Sequence, residues 1–153
     1  DGEYDAIILA ATGVQKLGIE NEVKYFSPID TDTMIPSMGQ ATLGIETTTN
    51  PEIVKLISVL NDKDADIEST IERSFVHTLQ GGCQVPIGVK ATIVDDNVKL
   101  KAIVGMPDGT EYIDDEVTVT TADYKTAGID FAQRFVDRGA KELLARAEKV
   151  AFK

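Results

Sequence analysis

The pattern of apolar and polar positions changes character along the chain. Residues 4–11 carry an unbroken apolar run, Ala6, Ile7, Ile8, Leu9, Ala10 and Ala11. Without alternation, such a run predicts a strand covered on both faces. Thr12 is placed to cap a short helix through Lys16 and Leu17, and Gly18 to end it in a left-handed conformation. Residues 23–29 form a second candidate strand, stopped near Pro28. A stretch rich in Pro, Gly and Thr fills 30–50, and within it 42–48 is a third candidate strand. Asn50 and Pro51 then supply a helix N-cap and a proline at the first helical position. Ile53, Leu56, Ile57 and Leu60 recur at helical spacing, so 51–60 is predicted to be an amphipathic helix. Residues 61–66 are polar and strongly charged and read as a linker. A second helix is predicted from about 64 to 79, with Ile67, Ile71, Phe75 and Leu79 on one face and Gly81 and Gly82 as terminators.

Beyond Cys83 the period drops from 3.6 to 2. Val89, Ala91 and Ile93 alternate with polar neighbours, a turn is expected at 95–97, and Val98, Leu100, Ala102 and Val104 alternate again. Pro107, Asp108 and Gly109 mark a second turn, and 112–120 completes a three-stranded antiparallel meander. Thr121 is placed as the N-cap of a helix with Tyr124, Phe131 and Phe135 inward. Gly139 breaks that helix, and Ala140, Leu143, Leu144, Ala147 and Val150 define a last amphipathic one. Residues 63–153 thus form a self-sufficient α+β unit. Residues 1–62 do not: the two strands at 4–11 and 23–29 and two helices leave a parallel sheet without enough partners. The opening DGEYDAIILAA enters an expected buried strand within a few residues, which predicts a fragment of a longer chain.

Composition narrows the function classes. The chain has 153 residues, with 15 Lys and Arg against 26 Asp and Glu, a formal charge of −11. That argues against a nucleic-acid binder, whose affinity comes from cations matched to phosphates, and against a basic membrane-surface protein. The longest apolar run is too short to span a bilayer. One cysteine makes no internal disulfide, which points to a reducing, cytoplasmic setting. One histidine and one cysteine leave too few soft ligands for zinc, so no metal site is expected.

The chemistry-bearing stretch is LQGGCQVPIG, residues 79–88. A lone cysteine follows two glycines at a helix exit and precedes a rigid proline. The glycines let the backbone pass close to a bulky neighbour. Cys83 can be read as a small buried hydrophobe, as most free cysteines are. It can also be read as a nucleophile paired with His77, six residues away. A helix C-terminus turns the negative end of its dipole toward the thiol and disfavours the thiolate. That suits a thiol that reacts once with a strong electrophile and stays attached better than one that turns over.

The ordered pieces YDAIILAATGVQKLGI, MIPSMGQATLGIE, IERSFVHTLQGGCQVPIG and a late MPDG turn resemble the C-terminal half of the porphobilinogen deaminase (hydroxymethylbilane synthase) family, nearly end to end. The resemblance implies that Cys83 holds a dipyrromethane cofactor through a thioether. It implies a transferase that joins four porphobilinogen units head to tail with loss of ammonia. A carboxylate assists amine loss, arginines bind the acetate and propionate groups, and water finally releases the linear tetrapyrrole. The implied architecture is α/β and α+β. Residues 1–38 would be the end of domain 2 and 39–62 a return segment and helix of domain 1, remnants of periplasmic-binding-protein-like parallel sheets. Residues 63–153 would be the cofactor-anchoring domain 3. The family's catalytic aspartate and most substrate arginines would then lie in an N-terminal half outside this sequence, so no catalytic residue is assigned here. A cleft for a polycarboxylate should be basic, and this chain is acidic, so it is expected to be inactive alone.

Departures from the family pattern bear on the contacts. Gln15-Lys16 stands where Lys-Arg is usual, so Lys16 would bind a cofactor carboxylate without arginine's bidentate fork. Gly39-Gln40-Ala41 replaces Gly-Gln-Gly; Gln40 keeps its amide for the cofactor, while Ala41 is conformationally narrower than glycine. Thr47 and Thr48 stand where arginine is frequent, and Gln80 where glutamate is usual. His77 reads as a surface or packing residue, and Glu72 and Arg73 as a helix-surface or interdomain ion pair. The acidic run Asp62, Asp64, Asp66 and Glu68 lacks the glycine and distal glutamate of a calcium loop. Gly13 is read as a tight-turn or close-approach position. Expected partners are porphobilinogen, the growing tetrapyrrole and the missing N-terminal half, with a monomeric whole protein and a self-associating fragment. The alternatives are a non-catalytic binding module that keeps domain 3, and a thiol-based redox protein.

Overall fold

The computed structural model describes residues 2–80 and 85–151. It divides into two compact units, Asp1–Met34 and Ile35–Lys153.

In the first unit the apolar run does not become a strand. Residues 6–10 are irregular and exposed. A strand needs a neighbour for each N–H and C=O, and among the described residues every strand pairing lies between 87 and 120. The same reason removes the expected strands at 23–29 and 42–48, which are also irregular. Helix α1 spans Ala11–Leu17, two residues earlier than Thr12 would set it: Ala10 is the N-cap and makes no side-chain bond. Gly18 closes α1 as expected. It is left-handed at φ 67°, and its N–H reaches the Gln15 and Val14 carbonyls. Val14 is the buried residue of this helix.

In the second unit α2 spans Pro51–Ile57 and runs on as a 3₁₀ turn over Ser58–Leu60. Asn50 caps it, its side chain accepting the Glu52 N–H at 2.9 Å. None of the α2 residues is buried, so its apolar stripe faces no core among the described residues. Helix α3 spans Lys63–Leu79. The supposed linker is its start: the Asp62 carboxylate accepts the Asp64 and Ala65 N–H groups at 2.9 and 3.1 Å. Asp64 and Asp66 lie in the first turn, where the helix dipole favours negative charge. The helix ends on Gln80, left-handed at φ 56°, before the glycines expected to stop it. Gly81, Gly82, Cys83 and Gln84 lie outside the described residues.

The meander forms as the alternation predicts. Strands β1 (Ile87–Val94), β2 (Asn97–Gly105) and β3 (Tyr112–Thr120) make an antiparallel sheet in the order β1-β2-β3. Ile87 pairs with Val104 and Val94 with Asn97; Asn97 pairs with Thr120 and Gly105 with Tyr112. Val89, Ala91, Val98, Leu100, Ala102 and Val104 fill the inner face. Helix α4 spans Tyr124–Asp137 after a 3₁₀ turn at Thr121–Asp123, and α5 spans Ala140–Ala151. The N-cap of α4 is Asp123 rather than Thr121; the Thr121 hydroxyl instead donates to the Asp96 carbonyl.

The core lies between α3, α4, α5 and the sheet. Phe75, Phe131 and Phe135 form a triangle with ring centroids 5.1–5.4 Å apart, two of the pairs edge-to-face, the favoured arrangement for ring quadrupoles. Arg134 pairs with Asp115 at 2.8 Å and so ties α4 to β3. Ala140, Leu143, Leu144 and Ala147 of α5 are buried as expected, Tyr124 is half-buried, and Val150 is exposed.

Candidate functional site

A sheet edge leaves every second N–H of its outer strand without a strand partner. On β1 those groups belong to Val89, Ala91 and Ile93, and each finds an acceptor of a different origin. The Val89 N–H donates to the Pro36 carbonyl at 2.8 Å. The Ala91 N–H donates to Glu72 Oε1 at 2.9 Å and the Ile93 N–H to Glu68 Oε1 at 3.0 Å. Two carboxylates one helical turn apart on α3, with one loop carbonyl, thus finish the edge of the sheet.

Glu72 does more than finish the edge. Its second oxygen accepts the Gly39 N–H at 2.7 Å. Glu72 is the buried charged residue among the described ones, at 4% exposure. A carboxylate so placed costs heavily unless its lone pairs are used. Here two backbone N–H groups use them, and the half-buried Lys90 ammonium stands 3.7 Å from Oε1 and 3.4 Å from Glu68 Oε2. Of the two readings for Glu72 and Arg73, a helix-surface or an interdomain ion pair, the surface one is therefore corrected for Glu72. Glu72 is internal, its charged partner is Lys90, and Arg73 is exposed. A signal is present in the sequence: 68, 72, 75 and 79 share one helical stripe, so a carboxylate at 72 sits beside the apolar face.

The loop that Glu72 holds carries one of the expected cofactor residues. In residues 35–42 the Gln40 N–H bonds to the Ser37 carbonyl at 3.2 Å, and the Thr42 N–H to the Gly39 carbonyl at 2.9 Å. Gly39 and Ala41 are both left-handed, at φ 68° and 70°. For alanine this conformation costs about 1–2 kcal/mol. Exposed Gln40 stands between the two turns. Gly88 of β1 leaves room for the loop to pass, since a Cβ there would lie 2.8 Å from the Ile35 carbonyl oxygen.

The other expected site residues fall elsewhere. Lys16 is exposed in the last turn of α1, in the first unit. His77 is exposed on α3. Cys83 belongs to the four residues between Gln80 and Val85, outside those described. Leu79, Gln80, Val85, Lys141, Leu144 and Glu148 line a cavity of about 180 Å³. Among the described residues no group of three His, Cys, Asp or Glu side chains could hold a metal. No described helix is long and apolar enough to cross a membrane. Asp108, in the turn after β2, has its carboxyl held below the ordinary value, first by the Thr110 hydroxyl at 2.7 Å and then by the Thr110 N–H at 3.1 Å.

Comparison with known proteins defines the class. The family model for the porphobilinogen deaminase dipyromethane cofactor binding domain matches residues 1–55, and that for the porphobilinogen deaminase C-terminal domain matches 66–137. The chain belongs to the porphobilinogen deaminase family. It is 72% identical over 153 residues to the porphobilinogen deaminase of Aliarcobacter butzleri, covering 99% of this chain and 49% of that protein. Identity is 50% to the Nitratiruptor enzyme, over 100% of this chain and 49% of the relative. It is 51% to that of Campylobacter fetus subsp. fetus, over 98% and 48%. The chain spans about half the length of the curated relatives it matches.

Proposed function

We propose that this chain is the cofactor-anchoring half of a cytoplasmic hydroxymethylbilane synthase, a transferase that joins four porphobilinogen units with release of ammonia. The observation that carries the reading is the match of both family models, in order, to one chain whose relatives bear that name along its whole length. Residues 1–38, 39–62 and 63–153 are proposed to belong to domains 2, 1 and 3 of that enzyme.

The donor set suits a dipyrromethane, which combines pyrrole N–H groups with carboxylate side chains. Exposed Gln40 offers both an acceptor and two donors, and exposed Lys16 offers a point charge for a carboxylate. Cys83 would hold the group through a carbon–sulfur bond, which, unlike an ester, survives repeated turnover. When bound, the dipyrromethane supplies the pyrrole terminus that is extended. The family resemblance would give Lys16 a charged contact and Gln40 a polar contact to such a group. Neither residue removes a proton, and no catalytic carboxylate is assigned to this chain. The acidic balance of −11 supports cations of the remaining half as the binders of the growing polyanion. This chain alone is therefore expected to consume no porphobilinogen. The apolar residues exposed on α2 and in residues 4–9 would pack against that half, and would drive self-association of the isolated chain.

Mass spectrometry of the whole protein tests the reading. A peptide carrying two linked pyrroles on Cys83, lost in Cys83→Ser, is expected. An unmodified cysteine in a protein that still makes the tetrapyrrole would overturn the anchor. Absence of both adduct and activity in chain paired with its N-terminal half would favour the non-catalytic module, and a reversibly oxidised Cys83 the redox protein.

A further inference from the structure

The geometry points to Glu72 as a positioning residue: its buried carboxylate locks the 35–42 loop to the edge of the sheet and thereby sets the backbone from which Gln40 is presented. The first half of this inference stands on hydrogen bonds alone. The second rests on the reading of Gln40 as a cofactor ligand.

Three observations converge on the lock. One carboxylate spans two elements, with Oε1 on Ala91 of β1 and Oε2 on Gly39 of the loop. The loop has a second tether to the same strand at Pro36, whose carbonyl accepts the Val89 N–H. Between Gly39 and Thr42 the backbone is held in a left-handed alanine, a conformation that persists only where the surroundings over-determine it. Glu68 is an internal contrast. It lies one turn earlier on the same helix and accepts from the same strand, at Ile93, and its other oxygen goes to Lys90. The edge of β1 can therefore be finished by a carboxylate without any loop attached. What Glu72 adds is the bond to Gly39, and that bond is short and charge-assisted.

The chemistry of this arrangement is specific to a carboxylate. Glutamine at 72 keeps the volume but offers one oxygen where two N–H groups need acceptors, so its amide meets one of them donor to donor. Alanine removes both acceptors. Neither change touches the Val89–Pro36 bond or the Phe75 core.

Amide hydrogen exchange of the chain tests the lock without any cofactor. In Glu72→Ala, exchange at Gly39 is expected to rise about tenfold to a hundredfold, while Ile93, Val98 and Leu100 keep their protection. Glu72→Gln, which preserves packing if the alanine variant fails to fold, is expected to accelerate Gly39 or Ala91 similarly. Unchanged exchange at both amides in the glutamine variant would overturn the lock. A double-mutant cycle in the whole protein, reading retention of dipyrromethane by mass, tests presentation. If Glu72 acts through Gln40, the losses caused by Glu72→Gln and Gln40→Ala do not add. Additive losses would overturn the positioning role and leave the family reading intact. A Gln40→Ala variant that retains all its cofactor would instead remove Gln40 from the site while the lock, read by exchange, still stood or fell on its own.

Discussion

Residues 6–10 and the stripe of α3 are both apolar, yet they meet opposite fates. Ile7 and Ile8 are 72% and 69% exposed, whereas Ile71 and Phe75 are fully buried. The difference lies in what each backbone requires. A helix satisfies its own N–H and C=O groups and needs only a surface for one face. A strand needs neighbours on its edges as well as its faces. Within Ile35–Lys153 the chain supplies both, the last of them as the carboxylates on β1. Among the described residues of Asp1–Met34 it supplies neither, so residues 6–10 stay irregular. Apolar content alone therefore does not make a core. A complete set of partners does.

The sharpest way to break this contrast is to truncate a large apolar side chain in each region. Phe75→Ala removes a ring from the aromatic triangle and is expected to cost about 3–5 kcal/mol in denaturant unfolding. Ile8→Ala in the same chain should change stability by no more than about 0.5 kcal/mol. Equal losses at the two sites would contradict the comparison. Next in size is Gly128→Ala, at the close approach of α3 and α4. A Cβ there would collide with the Ser74 hydroxyl and the Ile71 carbonyl, so a loss of about 1–3 kcal/mol is expected by the same measurement. Asp62→Ala deletes the cap that opens α3 and should cost about 1 kcal/mol. Because the core depends on α3, that loss should appear in the global transition and not as local fraying.

The smallest expected effect is electrostatic. The Asp108 carboxyl sits below its ordinary value because Thr110 hydrogen-bonds its ionised form. Its contribution is thus complete above the ordinary carboxylate range and fades as pH falls through the lower, folded value. The Thr110 amide resonance followed through an acid titration should report that low midpoint. Thr110→Val, which removes the hydroxyl, should raise it. A midpoint at the ordinary value in the unaltered chain would remove the turn's two bonds from solution.

What the residue pattern makes legible follows the same division. The α3 stripe, the meander with its two turns and the inward faces of α4 and α5 are all readable, because period and burial agree wherever one face meets a core. Caps are less legible. Thr12 and Thr121 offer the right chemistry at the wrong residue, since the first turn is set by where the backbone enters the helix. The polar run at 61–66 looks like a linker because an N-cap and an acidic first turn have the same composition as a solvated loop. Of the expected cofactor residues, Gln40 lies on a structured loop and Lys16 on α1, while Cys83 lies outside the described residues. Glu72 stands out in the sequence, but as a surface charge. Its spacing hints at a buried side, and nothing local reveals that β1 and a loop 33 residues away both need its oxygens.

Sequence by itself determined the membership of this chain in its family, the helices of the second unit and the order of its strands. These depend on short-range periodicity and on motifs long enough to be specific. Only the tertiary structure decided that the first apolar run has no sheet to join, that a supposed surface glutamate is internal, and that it binds strand and loop together. Each of those depends on which backbone groups remain unpaired after the local elements have formed, a balance that no single segment contains.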